Sequence, residues 1–419
     1  MAVFVAETEL ASHLPNLDEP RVVTQGSFGT PRQLLSLVDA HYERYRLVIV
    51  NALPGVPTRP GIRYETVFLG AGVRRYPDLD YYPSRLSLAP LLFSGPLAPD
   101  IVLVHTSRPI RGKVSLGIEV QVMPGALEAA RKRGALVVAQ VNSRMPFTHG
   151  DGVIDLDDID VALEIDEDVP TAPDVVVDDM SRAVGEHVAA HIPNGASLQM
   201  GIGAMPEAAL AALVNHRGLR VWTELLTEGF KGLLDHGALD ADAPVTATFM
   251  YGSQDLYDWA DDNPQLQVLR CERTNSPGVI AQQRSMHSVN TALQVDLFGQ
   301  VNASRVHDRI ISGTGGQTDF IIGALHSPGG RAMIALRSWH PKADVSTIVP
   351  KLTEAVTSVQ PSMVLSEYGA AQIYGAPQQA QAEGLTLHVA HPDVRQDLWA
   401  AGQRMGLIPS SSQYWADKA

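Results

Sequence analysis

The residues of this chain best placed to do chemistry are one carboxylate and two glycine-rich turns. Glu224 stands in "RVWTELLTEGF", residues 220–230, where the apolar pair Val221–Trp222 ends and Leu226, Phe230 and Leu233 begin to recur at i, i+4 and i+7. That spacing predicts a helix with Thr223 as N-cap and Glu224 in its first turn. A first-turn carboxylate is favoured by the helix dipole, so its pKa is expected to fall. Two readings are open. Glu224 is an ordinary first-turn acid, or it is a carboxylate nucleophile beyond the carboxyl end of a parallel strand, where open α/β sheets hold their ligands.

The first turn is "LQMGIGAMPEAAL". Gly201 and Gly203 let the backbone approach a ligand, and a helix opening near Pro206 would offer free N–H groups to a phosphate or an oxyanion. The same stretch also reads as a tight strand-to-helix turn. As a dinucleotide fingerprint it is incomplete, because the third glycine would fall at Pro206. A nicotinamide dehydrogenase using Glu224 on a ribose is therefore the more distant alternative. The second turn is "IISGTGGQTDFIIGA", whose Gly313, Gly315 and Gly316 can aim N–H groups at a developing negative charge or simply join two elements.

These residues need a frame. Short Val- and Ile-rich runs ("YRLVIVNAL", "DIVLVHTS", "GALVVAQVN", "AMIALRS") alternate with Ala- and Leu-rich helical stretches ("PRQLLSLVDAHYERY", "PEAALAALVNH"). That alternation predicts an α/β fold with mostly parallel, doubly wound sheets. A weak internal repeat relates "VVTQGSFGTPRQLLSLV" to "SLQMGIGAMPEAALAALV". In each, an apolar strand leads to glycines, and Pro31 or Pro206 follows the first glycine by five residues at a position suited to a helix start. Two tandem α/β domains are expected, 1–175 and 176–419, joined near the Pro- and Asp-rich "EDVPTAPDVVVDD".

With 419 residues the chain exceeds what one core usually organises. Its 45% apolar and 19% charged residues describe a well-buried globular protein. A formal charge of -14 disfavours nonspecific binding to nucleic acid or anionic membranes. The single cysteine, Cys271, is read as a packing residue and fits a reducing, cytoplasmic compartment. Neither a signal peptide nor an apolar stretch of transmembrane length is apparent. The acidic "HGDGVIDLDDIDVALEIDEDVP" fails the calcium-loop spacing and reads as a solvated loop. His149, His388 and His391 form no metal pattern, so no metal site is expected.

Seven stretches in one order ("LQMGIGAMP", "TELLTEGF", "LYDWADDNP", "NTALQVDLFGQV", "SGTGGQTDFIIGA", "SEYGAA", "AHPDVRQDL") resemble the acetyl-CoA hydrolase/transferase family, from about residue 20 to 400. The resemblance implies two CoA-transferase domains and a catalytic glutamate, carried onto Glu224 in Thr223–Gly229. It implies that Gly201, Ile202, Gly203, Ala204 and Met205 form the coenzyme A loop, with Leu293 and Gly316 at the same site. Coenzyme A or acyl-CoA would be substrate, with no permanently bound cofactor and a small carboxylic acid as partner. The activity implied is CoA transfer between acyl-CoA and acid; hydrolysis of acyl-CoA by the same glutamate is the alternative. A homodimer or homotetramer is expected. Glu228, Gln140, Arg337 and Trp339 depart from the usual family residues and bear on acyl specificity.

Overall fold

The apolar runs form strands of two large sheets. The computed structural model describes residues 2–307, 309–356 and 358–414. The first sheet has eight strands, all parallel, in the spatial order Val3–Phe4, Val161–Ile165, Leu136–Asn142, Ile101–Thr106, Arg21–Thr24, Tyr45–Ile49, Ile62–Thr66 and Leu79–Tyr81. Ile101–Thr106 is buried at every position, as expected of a parallel strand covered on both faces.

The second sheet repeats this order. Outward from Ser197–Met200 lie Arg220–Trp222, Val245–Ala247 and Leu266–Val268 on one side, and Met286–Asn290, Arg331–Ala335 and Met363–Ser366 on the other. These strands run parallel, and Gly369–Gln372 adds an antiparallel edge. Each sheet therefore reverses its winding once: between Arg21–Thr24 and Ile101–Thr106 in the first, and between Ser197–Met200 and Met286–Asn290 in the second. The two glycine loops of the sequence repeat leave the sheets at these reversal points, the position at which open α/β sheets hold their ligands.

The helix after each loop starts differently from the sequence expectation. In the first half it spans Arg32–His41 with Pro31 at the N-cap. In the second it spans Ala204–Ala212, two residues earlier than expected, with Pro206 inside the first turn, where no N–H partner is lost.

The halves interlock. His149–Gly150, from the first half of the chain, pairs with Leu266–Val268 at the edge of the second sheet. One apolar cluster includes Val23, Val104 and Ile118 together with Leu198, Leu226 and Phe230. Each side chain of this kind contributes about 1.5–3 kcal/mol when fully buried, so the shared core fixes the two reversal points relative to each other. No helix among the described residues is long and apolar enough to cross a membrane.

Candidate active site

Glu224 is not helical. It joins the strand Arg220–Trp222 to a second short strand, Leu225–Thr227, and the helix begins only at Glu228, with Thr227 as its N-cap. The apolar spacing misled because Leu225 and Leu226 pair with Phe249 and Met250, and are buried as strand residues. Tertiary pairing overrode the helical period. The Glu224 carbonyl accepts from the N–H groups of Thr248 and Phe249, at 2.9 and 3.1 Å, which locks the joint.

The expected fall in pKa is likewise reversed. Without a helix N-terminus beneath it, the partly buried carboxylate is governed by desolvation, which raises its pKa to about 7. The hydrogen bond from Asn275 opposes this shift, and the charge of Asp319 adds to it.

Asn275 holds the carboxylate directly. It is fully buried, and its Nδ2 donates to Glu224 Oε2 at 2.7 Å. The amide is oriented by Thr274, whose Oγ1 donates to Asn275 Oδ1 at 3.0 Å. The Thr274 carbonyl in turn accepts from Trp222 Nε1 at 2.9 Å. Removing the amide by Asn275→Ala takes a hydrogen bond from the ionised form and leaves desolvation unopposed. Hydrogen bonds to charged groups contribute about 1.5–3 kcal/mol, so activity at neutral pH should fall ~10- to 100-fold, with partial recovery as pH rises. A pH–rate profile checks this; an acidic limb that stays in place would contradict it.

The second glycine turn closes the other side. Gly316 caps the helix Gln317–His326, and a Cβ at Gly316 would lie 1.8 Å from Glu224 Oε2 and 2.2 Å from Asn275 Nδ2. Only glycine lets this backbone touch the carboxylate. The turn is clamped by the first half of the chain. Phe68 bridges Gly313, Arg85 bridges Gly315, and the N–H of Leu86 donates to the Gly315 carbonyl at 3.0 Å. Gly315 has φ +57°. Asp319, one turn into the helix, is fully buried and accepts from Ser87 N–H and Oγ at 3.2 and 2.9 Å. Arg85 stands 3.3 Å from it. Burial still lifts Asp319 to about 6.

The first turn lies beside Glu224 at the strand ends. Gly201 follows Met200, and the strand it leaves pairs with the one leading to Glu224. Gly203 is the helix N-cap, with φ +121° and open space where a Cβ would stand. Ile202 is exposed, while Ala204 and Met205 are half-buried. Leu293 follows the adjacent strand Met286–Asn290 in a turn, its N–H bonded to the Asn302 carbonyl. Of the sequence-derived residues, Gly316 meets Glu224 directly; Gly313 and Gly315 hold the turn that carries it. The Gly201–Met205 loop and Leu293 follow strands that neighbour one another in the second sheet.

The remaining residues singled out in the sequence have structural partners of their own. Cys271 is buried with its thiol toward the Leu86 carbonyl, and burial pushes its pKa up, as suits packing and not attack. Arg337 grips Asp178 and Ser181, tying the start of the helix Asp179–Ala189 to the second sheet. Gln140 accepts from the Leu34 N–H. Glu228 is exposed and accepts from the Ser253 N–H. Trp339 lies 5.1 Å from His391. No group of three or more metal-ligating side chains is gathered among the described residues.

Three kinds of similarity relate the chain to known proteins. Residues 56–176 match the acetyl-CoA hydrolase/transferase N-terminal domain, and residues 252–401 match the acetyl-CoA hydrolase/transferase C-terminal domain. The chain is 34% identical over 401 residues to a 4-hydroxybutyrate coenzyme A transferase of Clostridium kluyveri, covering 90% of this chain and 92% of that one. An acetyl-CoA hydrolase of Candida albicans is 27% identical over 245 residues, which span 54% of this chain and 46% of the hydrolase. The crystal structure of RipA from Yersinia pestis superposes with a TM-score of 0.88 at 25% identity, covering 97% of this chain and 98% of RipA.

Proposed function

Because the chain belongs to the acetyl-CoA hydrolase/transferase family, we propose that Glu224 is the nucleophile of a CoA-transferase that moves coenzyme A between an acyl-CoA and a free carboxylic acid. The observation that carries the proposal is one carboxylate held between an amide donor, Asn275, and a glycine turn, Gly313–Gly316, after a strand of the second sheet.

Glu224 attacks the thioester carbonyl, and the C–S bond breaks to give an acyl-glutamyl anhydride and CoA thiolate. The thiolate then attacks the glutamyl carbonyl, forming a glutamyl-CoA thioester and releasing the first acid as its carboxylate. A second carboxylate reverses both steps. Charge and atoms balance without a metal or ATP. Each step passes through an oxyanion, and the N–H groups of the Gly313–Gly316 and Gly201–Gly203 turns are assigned to it. Losing one such donor typically costs ~3 kcal/mol. The coenzyme is assigned to the Gly201–Met205 loop and Leu293; binding energy from its remote part serves the transition state. The division into domains at 175/176 falls in the connection between Val161–Ile165 and the helix Asp179–Ala189, and belongs to the same proposal. So do the homo-oligomer and the cytoplasmic location.

Transfer is favoured over hydrolysis because the transferase relative matches along nearly its whole length and the hydrolase over less than half. A buried anhydride also survives only where water is kept out. The test is acceptor dependence. Acyl-CoA consumption should rise at least ~10-fold when a short-chain carboxylate is added, a barrier difference of about 1.4 kcal/mol. Equal rates with and without acid would make the protein a hydrolase.

The charge state of Glu224 sets the pH dependence. The nucleophile is the ionised form, and its pKa stands at about 7. Rates with acyl-CoA at low concentration should therefore climb in proportion to hydroxide below that value and level off above it. A profile already flat at mildly acidic pH would contradict the burial of this group.

A further inference from the structure

A second carboxyl group lies beside the first. Glu119, in "SLGIEVQV", is only 2% exposed, and its Oε2 has no hydrogen-bond partner. Its main chain is fixed. The carbonyl accepts from Gln25 Nε2 at 2.8 Å, and Glu119 bridges Phe249. The next two N–H groups, of Val120 and Gln121, both donate to the Thr248 carbonyl at 3.2 Å. Gln121 completes the turn with φ +30°. Thr248 and Phe249 are the residues whose N–H groups hold the Glu224 carbonyl, so the two glutamates flank one short segment. On its far side Glu119 meets the first glycine loop: a Cβ at Gly29 would lie 2.3 Å from Glu119 Cβ and 2.9 Å from its Cγ. The side chain is clamped between the reversal point of the first sheet and the segment that carries Glu224.

Among the described residues no lysine or arginine pairs with Glu119. The titratable groups around it include Glu224, Tyr257, Cys271 on the segment bonded to Gln121, and His105 behind the glycine loop. His105 is kept neutral by burial, which brings it to about 4. Burial, and then the charge of Glu224, push the Glu119 carboxyl well above its ordinary range and favour its protonated form. A neutral carboxyl offers one O–H donor, and leaving a buried polar group unpaired costs about 1–3 kcal/mol. Such a group is best explained by a partner that arrives with the substrate.

We infer that Glu119 is a substrate-facing residue of this site that donates its O–H to the carboxylate of the acid substrate. The inference rests on the Glu224 reading. It adds that the acid is bound on the first-domain side, between Gly29 and Glu224, while the coenzyme is held by the second domain. The proton stays on Glu119 throughout, and no bond to it is made or broken. When Glu224 is a neutral thioester, the incoming carboxylate is the only anion beside Glu119, and the hydrogen bond favours it over water. Once Glu119 ionises, it repels that carboxylate instead. Affinity for the acid should therefore weaken as rising pH ionises Glu119, while affinity for acyl-CoA should not.

Glu119→Gln retains the shape and an N–H donor but cannot titrate; Glu119→Leu retains the bulk and removes the donor. In the wild type, KM for the acid is expected to rise ~10-fold or more as rising pH removes the Glu119 proton, equivalent to about 1.4 kcal/mol. Glu119→Gln lowers activity a few-fold and abolishes that rise. Glu119→Leu raises KM for the acid ~10-fold at every pH with KM for acyl-CoA within about twofold, the expected loss of one hydrogen bond to a charged group. An unchanged rise of KM with pH in Glu119→Gln, or an unchanged KM for the acid in Glu119→Leu, would overturn the inference. Formation of a coenzyme adduct from acyl-CoA alone needs no acid and separates the two claims. Wild type and Glu119→Gln should both form it on Glu224 even if Glu119 proves irrelevant. If the wild type forms none, the Glu224 reading fails and this inference falls with it.

Discussion

Glu224→Gln should leave no more than about one part in 10⁴ of the transfer activity, the scale of loss when a covalent nucleophile is removed, yet melt at a higher temperature than the wild type near pH 8. Both effects come from one cause. The carboxylate is buried where desolvation and the charge of Asp319 outweigh the Asn275 amide, so its pKa stands at about 7 against an ordinary 4.5. The unfolded chain loses this proton at lower pH than the folded chain. Between the two values the folded state binds more protons, so stability falls as pH rises. The cost is absent below about pH 4.5 and complete above about 7. After discounting for residual solvent at a partly buried group, it is of the order of 2 kcal/mol. Glutamine has the same shape, carries no charge and removes that cost. Melts of the two proteins should therefore separate by a few degrees at pH 8 and converge at pH 4. Equal melting temperatures at both pH values would mean that the carboxylate is well solvated.

Gly316→Ala is the second large effect. With φ -95° and ψ -5° at this position, alanine meets no backbone penalty. The added methyl, however, would sit 1.8 Å from Glu224 Oε2, well inside any allowed contact. The carboxylate and Asn275 must move, or the glycine turn must withdraw from its bridges to Phe68 and Arg85. Each response displaces the nucleophile relative to the N–H groups proposed to stabilise the oxyanion. A misplacement of about 1 Å typically costs ~10²-fold, and loss of one donor adds ~10²- to 10³-fold. A fall of ~10³-fold in kcat is expected, with little change in KM for the coenzyme thioester. Gly232→Ala is the control. It lies in the helix Glu228–Asp235 with open space around the new methyl, and should be neutral or stabilising by up to about 1 kcal/mol. A Gly316→Ala enzyme with near-normal kcat would show that this turn does not bear on the reaction.

How much of this was readable from sequence depended on the range of the interaction. The alternation of apolar strands with helices, and the glycine–proline repeat, are local signals; they foretold mostly parallel α/β sheets and a shared strand–loop–helix unit, whereas the strand order that puts those loops at the reversal points emerged from the structure. Glu224 was recognisable because a carboxylate after a buried strand is a local anomaly. Its surroundings were not. Leu225 and Leu226 carry helical spacing, yet a strand 24 residues away captures them, and with the helix went the dipole that would have lowered the pKa. Asn275, 51 residues from Glu224, and Glu119, on the other half of the chain, reach the site only through tertiary packing. "CERTNSPG" and "SLGIEVQV" contain no spacing that marks either. Asp319 lay inside a recognised glycine-turn motif, but its pairing with Ser87 and Arg85 spans more than 200 residues.

The central claim is that Glu224 becomes covalently loaded with coenzyme. The direct measurement is mass spectrometry of the Glu224 peptide after brief mixing of the protein with a short-chain acyl-CoA, without any acceptor acid. The expected result is a peptide heavier by coenzyme A less one water, localised to Glu224, discharged by added carboxylate and absent from Glu224→Gln. An unmodified Glu224 peptide in protein that is actively exchanging CoA, or an adduct on a different side chain, would contradict it.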